Sequence, residues 1–218
     1  GVVLRLVRPA ISLPGRLRTD GQPISSVAGW ESIRVQLITL RDGIALLPNS
    51  APPPLMSLPD GTFQLFGMMA GDFRPRITGL PGDAYVQSAS FGATDALREP
   101  LRLPAVGADV FEIVVSPGGG RIDGDVTNDA RLPAASVQAV LVPADRTRLD
   151  LFRSATTDER GRFTLRGVAP GEYRLFAWTA TEPFAYFDPA VLKRFDAGSI
   201  VVRVAPSSTS TVTLVAAR

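Results

Sequence analysis

A segment of this chain recurs at a spacing of 100 residues, and that repeat limits the possible folds more than any other feature. Asp60-Gly61-Thr62-Phe63-Gln64-Leu65-Phe66-Gly67, then Met68-Met69-Ala70-Gly71-Asp72-Phe73-Arg74, is matched by Arg160-Gly161-Arg162-Phe163-Thr164-Leu165-Arg166-Gly167, then Val168-Ala169-Pro170-Gly171-Glu172-Tyr173-Arg174. Phe163 and Leu165 alternate with Arg162, Thr164 and Arg166, the period-two pattern of a half-buried strand. Asp158-Glu159-Arg160-Gly161 predicts a tight turn, since Asp hydrogen-bonds nearby backbone and Gly takes positive φ. Pro170-Gly171 suits the central positions of a type II turn. Tyr173, Leu175 and Ala177 then face one way along a following strand.

Further strands are expected near 15–19, 33–40, 84–91 and 110–115, and again near 121–127, 137–142, 151–157, 200–205 and 211–216. Short strands separated by 20 glycines and 19 prolines point to sandwiches. One helix is predicted, with Asp188 as N-cap, Pro189 at its first position and Phe195 near its end. The glycine run at Gly118, Gly119 and Gly120 marks a boundary, dividing the chain into modules at 12–116 and 117–218. Residues 1–11 form a leading strand in which Val2, Leu4 and Leu6 alternate with other residues. It is expected to close a preceding module or to be donated to a partner's exposed sheet edge. Because the chain begins at Gly1, it is expected to be the C-terminal part of a longer protein or a subunit of a larger assembly.

Gly120-Arg121-Ile122-Asp123-Gly124-Asp125-Val126, Val137-Gln138-Ala139-Val140-Leu141-Val142, Thr157 through Phe163 and Gly167 through Tyr173 together resemble the carboxypeptidase regulatory-like domain. The resemblance covers 117–218 well and 12–116 less well, where insertions stand around 23–32 and 51–58. It implies an all-β chain of two tandem seven-stranded Greek-key β-sandwiches of transthyretin- or Ig-like type, with at most one short helix. It also implies an accessory module on a secreted, periplasmic or cell-surface bacterial protein.

Composition removes whole classes of chemistry. Histidine and cysteine are both absent, which takes away the commonest general base, the commonest metal ligand and every thiolate. Lys193 is the only lysine, and no Ser-x-x-Lys surrounds it. A net charge of +2 with scattered arginines does not build a nucleic-acid groove, and no apolar run reaches the ~20 residues of a membrane helix. Asp123, Asp125, Asn128 and Asp129 suggest a calcium loop but lack its central glycine and late glutamate; a solvated strand face explains them better. Gly118-Gly119-Gly120-Arg121 lacks the Lys-Ser/Thr and helix of a phosphate cradle. The reading is therefore of no enzyme, no cofactor and no metal.

Contact residues are sought among the aromatics. Trp178, Phe184, Tyr186 and Phe187, near Glu182 and Asp188, suit sugar stacking or a protein interface; the alternative is that they pin the helix onto the sandwich. Trp30 and Pro52-Pro53-Pro54 form a second candidate surface. The function expected is a non-catalytic structural or interaction module of an extracytoplasmic bacterial protein, with protein partners or self-assembly. The alternatives are a carbohydrate-binding module using 178–187 and a self-assembling surface filament with strand donation.

Overall fold

The computed structural model describes residues 11–41, 44–45, 57–103, 109–179 and 189–217. They divide into two compact units, one made of the chain up to Pro81 plus Val86–Ser116, the other of Gly82–Tyr85 plus Pro117–Arg218.

In the second unit, β11 (Gly120–Thr127) pairs antiparallel with β14 (Arg162–Val168) and parallel with β17 (Thr209–Val215). A second sheet runs in the order β13 (Arg153–Thr156), β12 (Gln138–Pro143), β15 (Gly171–Trp178) and β16 (Ile200–Val204). One core lies between the two sheets. Ile122, Val126, Phe163, Leu165 and Leu214 enter it from the first, and Leu141, Tyr173, Leu175, Val202 and Val204 from the second. The alternation read from the sequence produces this arrangement, because strand side chains point to opposite faces in turn. Full burial of each large side chain contributes roughly 1.5–3 kcal/mol.

The first unit repeats these pairings. β1 (Ile11–Thr19) lies antiparallel to β5 (Thr62–Met68) and parallel to β10 (Phe111–Ser116). β3 (Arg34–Arg41) pairs with β4 (Ile44–Ala45) and β6 (Gly71–Thr78), and β6 pairs with β9 (Leu101–Leu103). The correspondence extends to single atoms. The Leu17 N–H donates to the Gly61 carbonyl at 2.7 Å and the Val126 N–H to the Gly161 carbonyl at 2.7 Å. Both glycines have positive φ, +84° and +73°, and a Cβ on either would fall 2.0 or 2.5 Å from the facing carbonyl oxygen. Only glycine fits a turn that tight.

The units part at one connection. Between β6 and β9 the first unit makes β7 (Tyr85–Phe91) and β8 (Thr94–Asp95), and β7 joins the free edge of β10. Between β15 and β16 the second unit instead makes α1 (Pro189–Phe195). With β2 (Gln22–Pro23), the first unit has ten described strands, not the seven expected. The extra pieces are β2, β4 and β8, each two residues long, too short for any periodic signal.

Candidate interaction surfaces

Trp178 ends β15 and is 1% exposed. Phe176 and Trp178 point away from the main core, beside Val140 and Val142 of β12. The outer face of this sheet is therefore apolar as well, and Leu192 and Phe195 of α1 pack against it. The Trp178 ring lies 5.7 Å from that of Phe176 and 5.2 Å from that of Phe195, and its indole N–H donates to Gln138 Oε1 at 3.2 Å. Trp178 thus holds the helix to the sheet and presents no face to a ligand, which corrects its placement as a contact residue. The physical reason is the near-continuous apolar run of β12, which marks a strand buried on both sides. Phe184, Tyr186 and Phe187, like Val2, Leu4, Leu6 and the Pro52–Pro54 triplet, lie outside the described residues. Trp30 opens a 3-10 turn, Trp30–Ser32, and is half-buried.

The other candidate surface is the outer face of β14, β11 and β17. An open groove of about 550 Å³ there is lined by Arg121, Asp123, Asp125, Arg162, Thr164 and Thr211, among others. Arg121 Nε donates to Asp123 at 2.9 Å and the Thr164 hydroxyl donates to Asp123 Oδ1 at 2.7 Å. These two bonds, the Arg121 one first, hold the Asp123 carboxyl below the usual carboxylate range. Asp158 is lowered as well, chiefly by the backbone N–H of Arg162, and Asp60 by that of Thr62. A general acid needs its pKa raised toward the working pH. Each of these three carboxyls is shifted the other way, and within the groove Asp123 serves as the acceptor of the Arg121 and Thr164 hydrogen bonds.

The supposed calcium ligands are not gathered. Asp123 is engaged as above, and Asn128 Oδ1 accepts the backbone N–H groups of Ala130 and Leu132 at 3.0 Å each. Asn128 is thereby a turn-former. No group of three or more acidic or thiol side chains suited to a metal ion stands among the described residues. The glycine run is packed as well: a Cβ on Gly120 would meet Val204 at 2.3 Å, and the Gly118 carbonyl accepts the Ser207 N–H at 2.9 Å.

Two structural devices escaped the sequence reading. Arg153 donates to the carbonyls of Asp150 and Phe152, at 2.7 and 2.9 Å, and to that of Gly167 at 3.3 Å. Arg34 likewise folds back onto the carbonyls of Glu31 and Ile33. In each case the arginine stands two residues past the end of a 3-10 turn. The Tyr173 hydroxyl donates to the Ala169 carbonyl at 2.7 Å, inside the core, an arrangement like the tyrosine corner of β-sandwiches.

No protein-family model matches this sequence, and neither does any curated protein sequence. Among solved structures, the chain is similar to a streptococcal ancillary pilin with 10% identity, 94% of this chain and 62% of that one covered, and a TM-score of 0.36. It therefore spans about three fifths of that pilin's length. It is similar to a candidate carbohydrate-binding protein from Pseudomonas aeruginosa with 21% identity over 45% of this chain and 88% of that one, at a TM-score of 0.30. The shaft pilin SpaA from Lactobacillus rhamnosus GG gives 11% identity, coverages of 96% and 97%, and a TM-score of 0.33. With TM-scores at that level, these likenesses decide neither fold detail nor function.

Proposed function

We propose that this chain is a non-catalytic structural or interaction module of an extracytoplasmic bacterial protein, made of two β-sandwiches in tandem, the second being a carboxypeptidase regulatory-like module. The observation that carries the reading is the repetition of one pairing scheme: β1 with β5 and β10, then β11 with β14 and β17. Even a surface ion pair recurs, Asp72 with Arg102 and Glu172 with Arg203, at matching cross-strand positions. Duplicated architecture with carboxylates committed to turns and ion pairs suits a spacer or docking element, whereas a catalytic site is usually a single cleft. Extracytoplasmic placement comes from the family resemblance.

Cell fractionation and cross-linking of the native protein provide the test. The reading expects the protein outside the cytoplasm, accessible to added protease and cross-linked to a protein neighbour. Saccharide binding that alanine at Phe184, Tyr186 or Phe187 abolishes would replace it with the carbohydrate reading. Turnover of a substrate that depends on Asp123 or Asp125 would replace it with an enzyme.

A further inference from the structure

We propose that the outer edge of β17 is an acceptor for an extended strand, and that its occupant is β17 of a second copy of this chain, paired antiparallel about a two-fold axis. The inference rests on the interaction-module reading and names a surface and a partner for it.

The sheet order supplies the first observation. In the first unit β10 lies between β1 and β7, so both of its edges are paired. β17 is the corresponding strand of the second unit, parallel to β11 as β10 is to β1. Along Thr209–Val215 its other edge carries no strand among the described residues, and the edge meets β15 only beyond them, where the Ala217 N–H donates to the Ala177 carbonyl at 2.8 Å and the Thr179 N–H to the Ala217 carbonyl at 3.2 Å. The described residues between β15 and β16 make α1 and no strand. The same protein thus shows, in its first half, that this edge of the sheet accepts a further strand.

Backbone direction identifies the open groups. The Ser208 carbonyl accepts the Arg121 N–H, and the Ala216 N–H donates to the Thr127 carbonyl, each at 2.8 Å. Even-numbered positions of this strand therefore point their backbone groups at β11. Alternation turns those of Thr209, Thr211, Thr213 and Val215 outward. An exposed row of such donors and acceptors is a template for another strand.

The side chains select a copy of the same strand. Natural edges are guarded by charge or by shortness, and the other edge strands of this unit follow that rule. β14 carries Arg162 and Arg166, β16 carries Arg203, and β13 is 4 residues long. β17 is Thr-Ser-Thr-Val-Thr-Leu-Val, with no charge and no proline across 7 residues. Centred on Val212, an antiparallel self-pairing places Thr211 opposite Thr213 and Thr209 opposite Val215. Such β-branched cross-strand pairs are favourable, and no like charges meet. The neighbouring outer face carries both signs, Arg121 and Arg162 with Asp123, Asp125 and Asp158. An isologous interface of this kind closes on itself.

Sedimentation equilibrium of the whole chain, from micromolar to near-millimolar concentration, tests the proposal. The expected result is a concentration-dependent doubling of mass. Thr211→Pro removes an outward N–H without touching the β11 ladder and is expected to leave the thermal transition in place while abolishing the dimer. Thr213→Lys sets a lysine of each copy on the same face, diagonally across the axis and within reach of like-charge repulsion, and is expected to weaken association at least tenfold, with recovery at high salt. It decides the matter should the proline variant fail to fold. A mass that stays monomeric throughout overturns the self-pairing, as does a dimer indifferent to Thr213→Lys. Either result leaves the interaction-module reading to its own test by cross-linking to a different protein.

Discussion

The ring of Phe163 packs against the Cα of Gly124 in direct cross-strand register, and a Cβ at residue 124 would lie 2.2 Å from the ring carbons. Gly15 and Phe63 stand in the same relationship in the first unit, again at 2.2 Å. Each aromatic fills the space that a side chain on the facing strand would need. Gly124→Ala is therefore expected to destabilise the second unit by about 1–3 kcal/mol, the usual cost of overpacking a core. Chemical denaturation checks this; an unchanged midpoint would mean that the ring has free room to move.

Tyr173 makes stability fall at high pH. Burial, the dominant cause, pushes its hydroxyl up to about 12 from an ordinary 10.0. The folded state then holds its proton more tightly than the unfolded one. Its contribution is complete below pH ~10 and is lost as pH rises from there through the folded value. Tyr173→Phe, which copies Phe73 of the first unit, is expected to cost about 1 kcal/mol near neutrality through the missing hydrogen bond to Ala169. It should also flatten the decline between pH ~10 and ~12. Urea midpoints across that range distinguish the two chains; parallel curves would contradict the assignment.

Acid acts through different groups. The Asp123 carboxyl is held below its ordinary 3.8 by Arg121 and Thr164, and Asp158 is lowered by backbone N–H groups at the turn before β14. A depressed pKa gives stability that is present above the ordinary value and disappears as pH falls through the folded one. Asp123→Asn is expected to shorten the acid-unfolding limb below pH ~4, with little change at higher acid pH beyond the lost ion pair. Circular dichroism between pH ~2 and ~5 would show it; a limb identical to that of the parent chain would count against these bonds.

Trp178 is expected to act as a core residue in every assay. Trp178→Ala should cost about 3–5 kcal/mol and release α1, read as faster amide exchange across 189–195. Emission from Trp178 should be blue-shifted beside that of half-buried Trp30. A Trp178 quenched readily by iodide would contradict its packing between Phe176 and Phe195.

Much of the fold was legible because it depends on local rules. The period-two runs at 162–166 and 171–177, the turn at Asp158–Gly161 and the short helix from Pro189 all rest on spacing and residue type, which the sequence displays directly. The repeat at 100 residues was visible for the same reason, since Gly61 and Gly161 answer one steric demand and neither can be replaced. The contact surfaces were less legible. An aromatic such as Trp178 serves a core or a ligand equally well until its neighbours are known, and those neighbours are Val140, Val142, Leu192 and Phe195, from two other elements.

By itself, then, the sequence determined the longer strands, the principal turns and the duplication, because each follows from alternation or from the φ of a single residue. Tertiary structure alone decided which edges and faces remain open. Among the described residues, those between β6 and β9 include a strand on β10, and those between β15 and β16 a helix on the opposite sheet. That choice buries Trp178 and leaves the outward backbone groups of β17 without a strand among the described residues. Neither outcome has a local signature, since pairing is a property of two strands distant in sequence and exposure is a property of everything packed around a residue.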